Sequence, residues 1–560
     1  MKTNSIVLTT LLIGILLSSI SCETPHKKKD IVAVNETKKP NVVLILTDDL
    51  GYSDIGAYGS QIQTPNLDAL ASNGVSFREF YNVGICAPTR ASLLSGQYQH
   101  DAGVGFFAVD LGIPAYQGYL NKESVTIAEV LNQNGYRTYL SGKWHLGTKH
   151  DQLPNQRGFD KFYGFPGGAS SYFAKKPFTH DPLEIYYNNV PTKVKDSTFY
   201  LTDAITTEAI KMVSDTIQQA PFFLYLAYNA PHWPLQAPVE DIEKYKGKFD
   251  KGWDQIRQHR RKKLIDCGLI NSSEPLSERP STIPAWDELS KKEQEHWAKY
   301  MEVHAAMIDR VDQNIGRLIA HLKESGQYEN TVFFFLSDNG AAGEDVNRGF
   351  GNAQFADIQA EVGTLDSYKS ITHRWAYAAN TPFTYWKTFP YEGGISSPFI
   401  ASFPKRFKEN TLVTGRGHLI DIFPTILEVT QSLYPNSYKG NKVLPLIGNS
   451  LLPQLTGESD VKKDTLFFEW SGNRAVRANQ WKILSLAGET KWKLFNIEKD
   501  REETSDVSNL HPELVQELRE SYELWAKNHH VVATDSLLRH SPNGKGMIRF
   551  RQGILKTIDK

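Results

Sequence analysis

The chain has 560 residues, 40% of them hydrophobic and 11% aromatic, which supports sizeable cores and excludes a disordered scaffold. Its 62 lysines and arginines balance 63 aspartates and glutamates, leaving a formal net charge of -1 and no basic field for a nucleic-acid backbone, so no nucleic-acid partner is expected. Three cysteines, Cys22, Cys86 and Cys267, are too few and too scattered for a disulfide framework or a cysteine-rich zinc site.

At the amino terminus, Lys2 precedes the apolar run from Ile6 to Ile20, which has the charged start and short length of a secretory signal rather than a membrane span. Ser19, Ile20 and Ser21 lead into Cys22 in a way that resembles the lipobox of bacterial lipoproteins. Residues 1–22 are therefore read as a signal peptide of lipoprotein type, with Cys22 as the lipidated membrane tether. Ser19 stands where an aliphatic residue is usual, and plain cleavage near Ser21 is the alternative. Either way the chain is expected to be exported, to the periplasm or to the cell surface as an anchored lipoprotein. Residues 23–40 carry Lys27, Lys28 and Lys29 without periodicity and form a solvated linker.

From Asn41 onward, short runs rich in Val, Ile and Phe alternate with helical patterns, the signature of an α/β chain with a largely parallel sheet. Strands are expected at Val42 to Leu46, Tyr136 to Leu140, Phe222 to Leu226 and Val332 to Leu336. Polar residues follow each run: Asp48 and Asp49, Lys143 and His145, His232, then Asp338 and Asn339. In open α/β sheets ligands bind beyond the carboxyl ends of strands, so these separate segments aim at one rim. Met301, His304, Ala305, Ile308, Val311, Ile315 and Ile319 keep helical spacing and are read as packing. Leu419 to Phe423 opens the last helix of a main domain spanning 41–445, and the Gly/Pro-rich stretch Lys439 to Gly457 marks a boundary. A smaller carboxyl-terminal domain, 446–560, is expected to hold an antiparallel sheet (Thr465 to Trp470, Arg474 to Val476, Trp481 to Leu484, Lys493 to Phe495) and a helix from Pro512 to Trp525.

Asp48 and Asp49 are adjacent carboxylates that repel unless a cation neutralises them, and Asp338 with Asn339 repeats the pattern at a second strand end. Together they form an all-oxygen set suited to Ca2+ or Mg2+ and ill suited to zinc or copper. Taken singly, each pair also fits a turn after a strand. Cys86-Ala-Pro-Thr-Arg90 followed by Ala-Ser-Leu-Leu-Ser-Gly96 looks like a helix start, which offers free N–H groups and a positive dipole end to an anion. A cysteine-type phosphatase places its arginine six positions after the cysteine; here the gap is four, and that mechanism does not fit. Cys267 is expected to be simply buried.

The Cys86 to Gly96 segment resembles the signature of the formylglycine-dependent (type I) sulfatases. Asn41 to Gly51, Gly142-Lys-Trp-His-Leu-Gly147, Ala230-Pro-His-Trp-Pro234, Ser337-Asp-Asn-Gly340, Lys387 before Glu392-Gly-Gly394, and Gly472 to Arg477 are similar to that family's blocks, in order. The resemblance implies an alkaline-phosphatase-like fold: a large, mostly parallel mixed sheet flanked by helices, plus the small carboxyl-terminal unit. It implies a sulfuric ester hydrolase in which a maturase converts Cys86 to formylglycine, whose hydrate is the nucleophile. Asp48, Asp49, Asp338, Asn339 and residue 86 would hold one divalent cation, Ca2+ or Mg2+. Asp338 would take the nucleophile's proton, Arg90 and Lys143 would hold sulfate, His232 and Lys387 would serve the leaving oxygen, and His145 would assist release.

Many family members carry an arginine after the Glu-Gly-Gly turn, where this chain has Ile395-Ser-Ser-Pro398, and that arginine is read as supporting the loop. Two other readings compete: a phosphonate or phosphate-ester hydrolase of the same superfamily, and a lipoprotein that binds sulfated glycans without turnover. The expected substrate is a carbohydrate or aryl sulfate, with Phe106-Phe107, Phe162 to Phe173 and Asp345 to Tyr377 as segments that could line the mouth.

Overall fold

Ten strands form the main sheet: β1 (Asn41–Asp48), β2 (Val75–Tyr81), β3 (Arg137–Lys143), β4 (Lys161–Phe165), β5 (Glu184–Tyr187), β6 (Val190–Lys193), β7 (Phe222–Pro231), β8 (Thr331–Ser337), β9 (Phe399–Ser402) and β10 (Thr411–His418). The computed structural model describes residues 38–177, 179–215, 220–346, 360–404, 406–458, 465–541, 543–545, 547–548 and 551. The signal and most of the linker read from the sequence, Cys22 included, lie outside the described residues.

The strand order is β10-β2-β9-β8-β1-β7-β3-β4-β5-β6. β1 pairs in parallel with β7 and β8, β3 with β7 and β4, and β10 with β2. β9 runs antiparallel between β8 and β2, while β5 and β6 form an antiparallel edge. This is the mixed, mostly parallel sheet expected from the sequence. All four sequence-predicted strands form, each running past the carboxyl end of its apolar run because register with the neighbours carries the pairing into the polar residues; β7 extends to Pro231, and β3 begins at Arg137 rather than Tyr136.

Alternation divides the central strands between two cores. Val43, Ile45, Leu224, Leu226, Phe333 and Phe335 enter one; Val42, Leu44, Leu46, Phe223, Tyr225, Phe334 and Leu336 enter the other. Each such side chain, fully buried, contributes roughly 1.5–3 kcal/mol. The long helix Lys291–Glu324 covers the first face, with all seven periodic residues from Met301 to Ile319 buried. A capping box at Ser290 and Glu293 starts that helix. The helices Cys86–Ser95 and Ile422–Thr430 lie on the second face. Cys267 departs from expectation: it is exposed, because it is the C-cap residue just past the end of the helix Gly252–Asp266, whose last buried residue is Leu264.

After a two-residue ladder, β11 (Ser437–Tyr438) with β12 (Asn441–Lys442), a four-stranded antiparallel sheet follows: β13 (Thr465–Trp470), β14 (Asn473–Ala478), β15 (Trp481–Ser485) and β16 (Lys493–Asn496). Val476, Ile483 and Leu494 pack against Leu518, Tyr522 and Trp525 of the helix Pro512–Asn528. Leu466, Phe468, Ala475 and Leu484 join the first core of the main sheet. No helix among the described residues is long and apolar enough to cross a membrane.

Candidate active site

The adjacent strands β8, β1, β7 and β3 all end at one rim, and Asp338, Asp48 with Asp49, His232 and Lys143 stand at those ends. Register explains the convergence: Thr47 lies opposite Ser337, and Asp48 opposite Pro231. Asp49 and His145 both adopt left-handed backbone angles, φ 68° and 60°, a strain of the order of 1–3 kcal/mol each that the surrounding packing holds.

Cys86 is the first residue of its helix, preceded by extended Ile85 and without a side-chain cap, so the free N–H groups of the first turn are open to an anion. Pro88 is tolerated in that turn, and Gly96 ends the helix in the left-handed conformation. Arg90, one turn on, donates to Asp338 Oδ2 from Nε at 3.1 Å and Nη2 at 2.8 Å, and to the Lys143 carbonyl at 3.2 Å. Lys143 Nζ donates to Asp48 Oδ2 at 2.6 Å. Lys387 Nζ lies 2.8 Å from Asp49 Oδ1 and 3.1 Å from Oδ2. His232 Nε2 is 3.6 Å from Asp49 Oδ2, and its Nδ1 is 2.6 Å from the Trp233 carbonyl.

Asp338 and Asn339 meet Asp49 directly: the Asp49 N–H donates to Asp338 Oδ1 at 3.3 Å, and Asn339 Nδ2 donates to Asp49 Oδ1 at 2.6 Å. Close packing of the two loops behind them depends on glycine, since a Cβ on Gly340 would stand 1.8 Å from the Gly393 carbonyl oxygen. The Lys387 backbone N–H donates to Ala341 O at 3.1 Å, so the loop carrying Lys387 is tied to the loop carrying Asp338.

Burial sets the electrostatics. It pushes the Cys86 thiol up to about 11, an effect the nearby lysines reduce but do not cancel. Asp338 is pushed up to about 7 by burial and by the neighbouring Asp48 charge. Asp49 is held at about 2, because Lys387 and His232 outweigh its burial. His232 falls to about 3 through burial, and His145 lies well below the usual imidazole range through burial and the Lys143 and Arg90 charges. Lys387 is raised despite its burial by Asp49 and Glu344.

A divalent cation fits these residues. Among the described residues, Asp48 Oδ1 and Asn339 Oδ1 are buried without hydrogen-bond partners, in a pocket of three carboxylates and one amide. Asp48, Asp49 and His232 have ligand atoms within 4.8 Å of one another. Oxygen donors predominate, which favours a hard cation and leaves His232 as a neighbour rather than a ligand.

The cavity in front of Cys86 has a volume of about 300 Å³. Of the expected mouth segments, Phe107 and Gly167 to Ala169 line it; Phe106 instead stacks parallel on Trp470, and Phe162 and Tyr172 are buried in the cores. Sequence reasoning missed Trp233, Glu344 and Met547 as lining residues. Trp233 sits inside a block already singled out, but nothing near Met547 signals a role. The loop after Glu392-Gly-Gly394 is held by Arg501, which donates to Ser396 Oγ at 3.0 Å and pairs with Glu392 at 3.4 Å. Lys482 and Tyr81 also reach Glu392, at 2.9 and 3.1 Å.

Comparison with known proteins agrees with this geometry. Residues 40–432 match the sulfatase family model, and residues 383–527 match that of the N-sulphoglucosamine sulphohydrolase C-terminal region. An uncharacterized sulfatase of Schizosaccharomyces pombe is 36% identical over 87% of this chain and 93% of its own length. An arylsulfatase of Klebsiella aerogenes is 34% identical over 74% of this chain and 92% of its own. Among solved structures, Ps i-CgsB in complex with k-i-k-neocarrahexaose superposes with a TM-score of 0.66 at 27% identity, covering 92% of this chain and 98% of that one. The chain therefore belongs to the sulfatase family and is a sulfuric ester hydrolase.

Proposed function

We propose that the enzyme cleaves a sulfate ester to an alcohol and inorganic sulfate through residue 86, after a maturase has oxidised Cys86 to formylglycine. The observation that carries this reading is the state of Cys86: buried at a helix start with its thiol held up to about 11, it is a poor nucleophile as a cysteine. Hydrated formylglycine would supply two hydroxyls on one carbon, one to accept the sulfuryl group and one to drive its release as the aldehyde re-forms. Asp48, Asp49, Asp338 and Asn339, completed by residue 86, would hold one Ca2+ or Mg2+, which when bound neutralises the carboxylates and withdraws charge from the reacting oxygens.

The side chains divide the remaining work. Asp338, near neutrality, accepts the proton of the attacking hydroxyl, while Arg90 and Lys143 hold the sulfate oxygens. Lys387 keeps its proton and donates to the leaving oxygen. The His232 Nδ1–H is committed to the Trp233 carbonyl, so neutral His232 presents a lone pair at Nε2. His232 donates only after a bound sulfate's negative charge has favoured its protonation. His145, neutral and buried, takes the proton of the second hydroxyl.

The decisive experiment is Cys86→Ser. A serine can accept sulfate but has no second hydroxyl with which to expel it, so the variant should accumulate a stable sulfate ester on residue 86, read by mass spectrometry, without turnover. Turnover of the serine form at the rate of the matured enzyme would refute the formylglycine assignment. Comparable turnover of paired phosphate and sulfate esters would instead favour the phosphate-ester reading. The relatives support carbohydrate and aryl sulfates as candidate substrates. The signal-like amino terminus supports export with a lipid tether at Cys22, and Cys22→Ser should then move the protein to the soluble fraction; continued membrane association would exclude that tether.

A further inference from the structure

The cavity in front of Cys86 has two chemically distinct sides. Behind Cys86 lie the cations and carboxylates described above. The side that faces the organic part of a substrate is walled by Phe107, Val109, Trp233 and Met547. Among the described residues lining this cavity, Glu344 is the one carboxylate and Lys387 the one lysine or arginine, and Lys387 is turned toward Asp49 at 2.8 Å.

Glu344 is only 7% exposed. Its Oε1 stands 3.6 Å from Lys387 Nζ, beyond hydrogen-bond distance, and its Oε2 is buried with no hydrogen-bond donor among the described residues. Asp49 already holds the Lys387 ammonium with two shorter contacts, so Glu344 is not required to keep that lysine in place. The backbone of Glu344 is fixed, its carbonyl accepting from Ser370 Oγ at 2.5 Å. A rigid, desolvated carboxylate with an unmet acceptor is costly unless a ligand supplies the donor.

We propose that Glu344 selects the leaving group. It accepts a hydrogen bond from a hydroxyl or amine next to the ester oxygen, and it repels a second anionic group at that place. The substrate class is then a sulfate ester of a largely apolar or flat alcohol that carries a neighbouring donor, rather than a densely anionic, polysulfated one. This rests on the sulfatase reading of the same site.

The test uses the full-length matured enzyme with three aryl probes: 4-nitrophenyl sulfate, 4-nitrocatechol sulfate with its adjacent hydroxyl, and 2-carboxyphenyl sulfate with an adjacent anion. Each kcat/KM is compared between wild type and Glu344→Gln, so that differences in leaving-group reactivity cancel. Relative to 4-nitrophenyl sulfate, the variant should gain at least about tenfold on the carboxylated ester and lose at least about threefold on the catechol ester. Glu344→Asp, which keeps the charge but withdraws it, should still reject the carboxylated ester while losing the catechol preference. Equal factors for all three probes in both variants would overturn the proposal and leave Glu344 as a support for the loop. Absence of turnover of every probe by the wild type would overturn the sulfatase reading itself, a result distinct from an unchanged ratio.

Discussion

In the proposed cation site Asp338 would join cation binding to pH, and Asp338→Asn tests the link. In the cation-free protein its carboxyl is pushed from 3.8 to about 7. A carboxyl raised on folding stabilises the protein below its unfolded value, and that contribution is lost as the pH climbs through about 7; the span is worth on the order of 4 kcal/mol. Asp49, held at about 2, acts in the opposite sense: its contribution is present above 3.8 and is lost as the pH falls through about 2. Below about pH 7 a divalent cation has to displace the Asp338 proton. The dissociation constant for Ca2+ should therefore weaken about 25-fold between about pH 7.5 and about pH 5.5, with close to one proton released per cation at the lower pH. Titration calorimetry in two buffers of different ionisation enthalpy counts that proton. Asp338→Asn should bind the cation more weakly at both pH values and with little slope between them. A wild-type constant that does not change with pH, or an equal slope in the variant, would refute the argument.

Two further outcomes follow from the packing. A methyl on Gly168 would stand 2.7 Å from His145 Nε2, so Gly168→Ala should turn the imidazole and slow sulfate release more than attack, visible as a burst of alcohol before slow turnover. Arg501→Leu leaves Glu392 with its Arg501 contact gone from a buried network, at a cost of about 3–5 kcal/mol; at this chain length that lowers Tm by about 2.5–4 °C in calorimetry, and an unchanged Tm would show the network to be dispensable.

The central strands were legible because each is a continuous apolar run buried on both faces, and the place of the candidate site was legible because polar residues follow those runs immediately. β2 went unread although Val75, Phe77 and Phe80 are buried: Arg78 and Glu79 interrupt its apolar pattern. β9 has only four residues, and its pairing with β8 and β2 is a tertiary fact that no local pattern encodes. The charged stretch from Lys244 to Gln327 resolves into separate helices because Pro280 and Pro284 fall between Gly252–Asp266 and Lys291–Glu324. Glu344 was passed over because the acidic pair Glu344-Asp345 after a Gly reads as loop polarity; its meaning lies in a missing donor, which only three dimensions reveal. Arg501, more than a hundred residues from Ser396, had no sequence signal either.

The burial of Cys86 also imposes an order in time. Only 3% of its surface is open, and the walls around it come from His145, His232, Glu344, Lys387 and Met547. The chain between Cys86 and Lys387 takes roughly 15–60 s to synthesise at ordinary rates, and during that interval no lid exists. Under the proposed maturation of Cys86, a maturase has to reach the thiol while the polypeptide is still incomplete or unfolded, because the contacts that bury the thiol afterwards would exclude the maturase as well. Folding and modification are therefore competitors, and a batch of protein that folds first is locked as cysteine: supplying the maturase later should restore little activity until the chain has been unfolded and allowed to fold again.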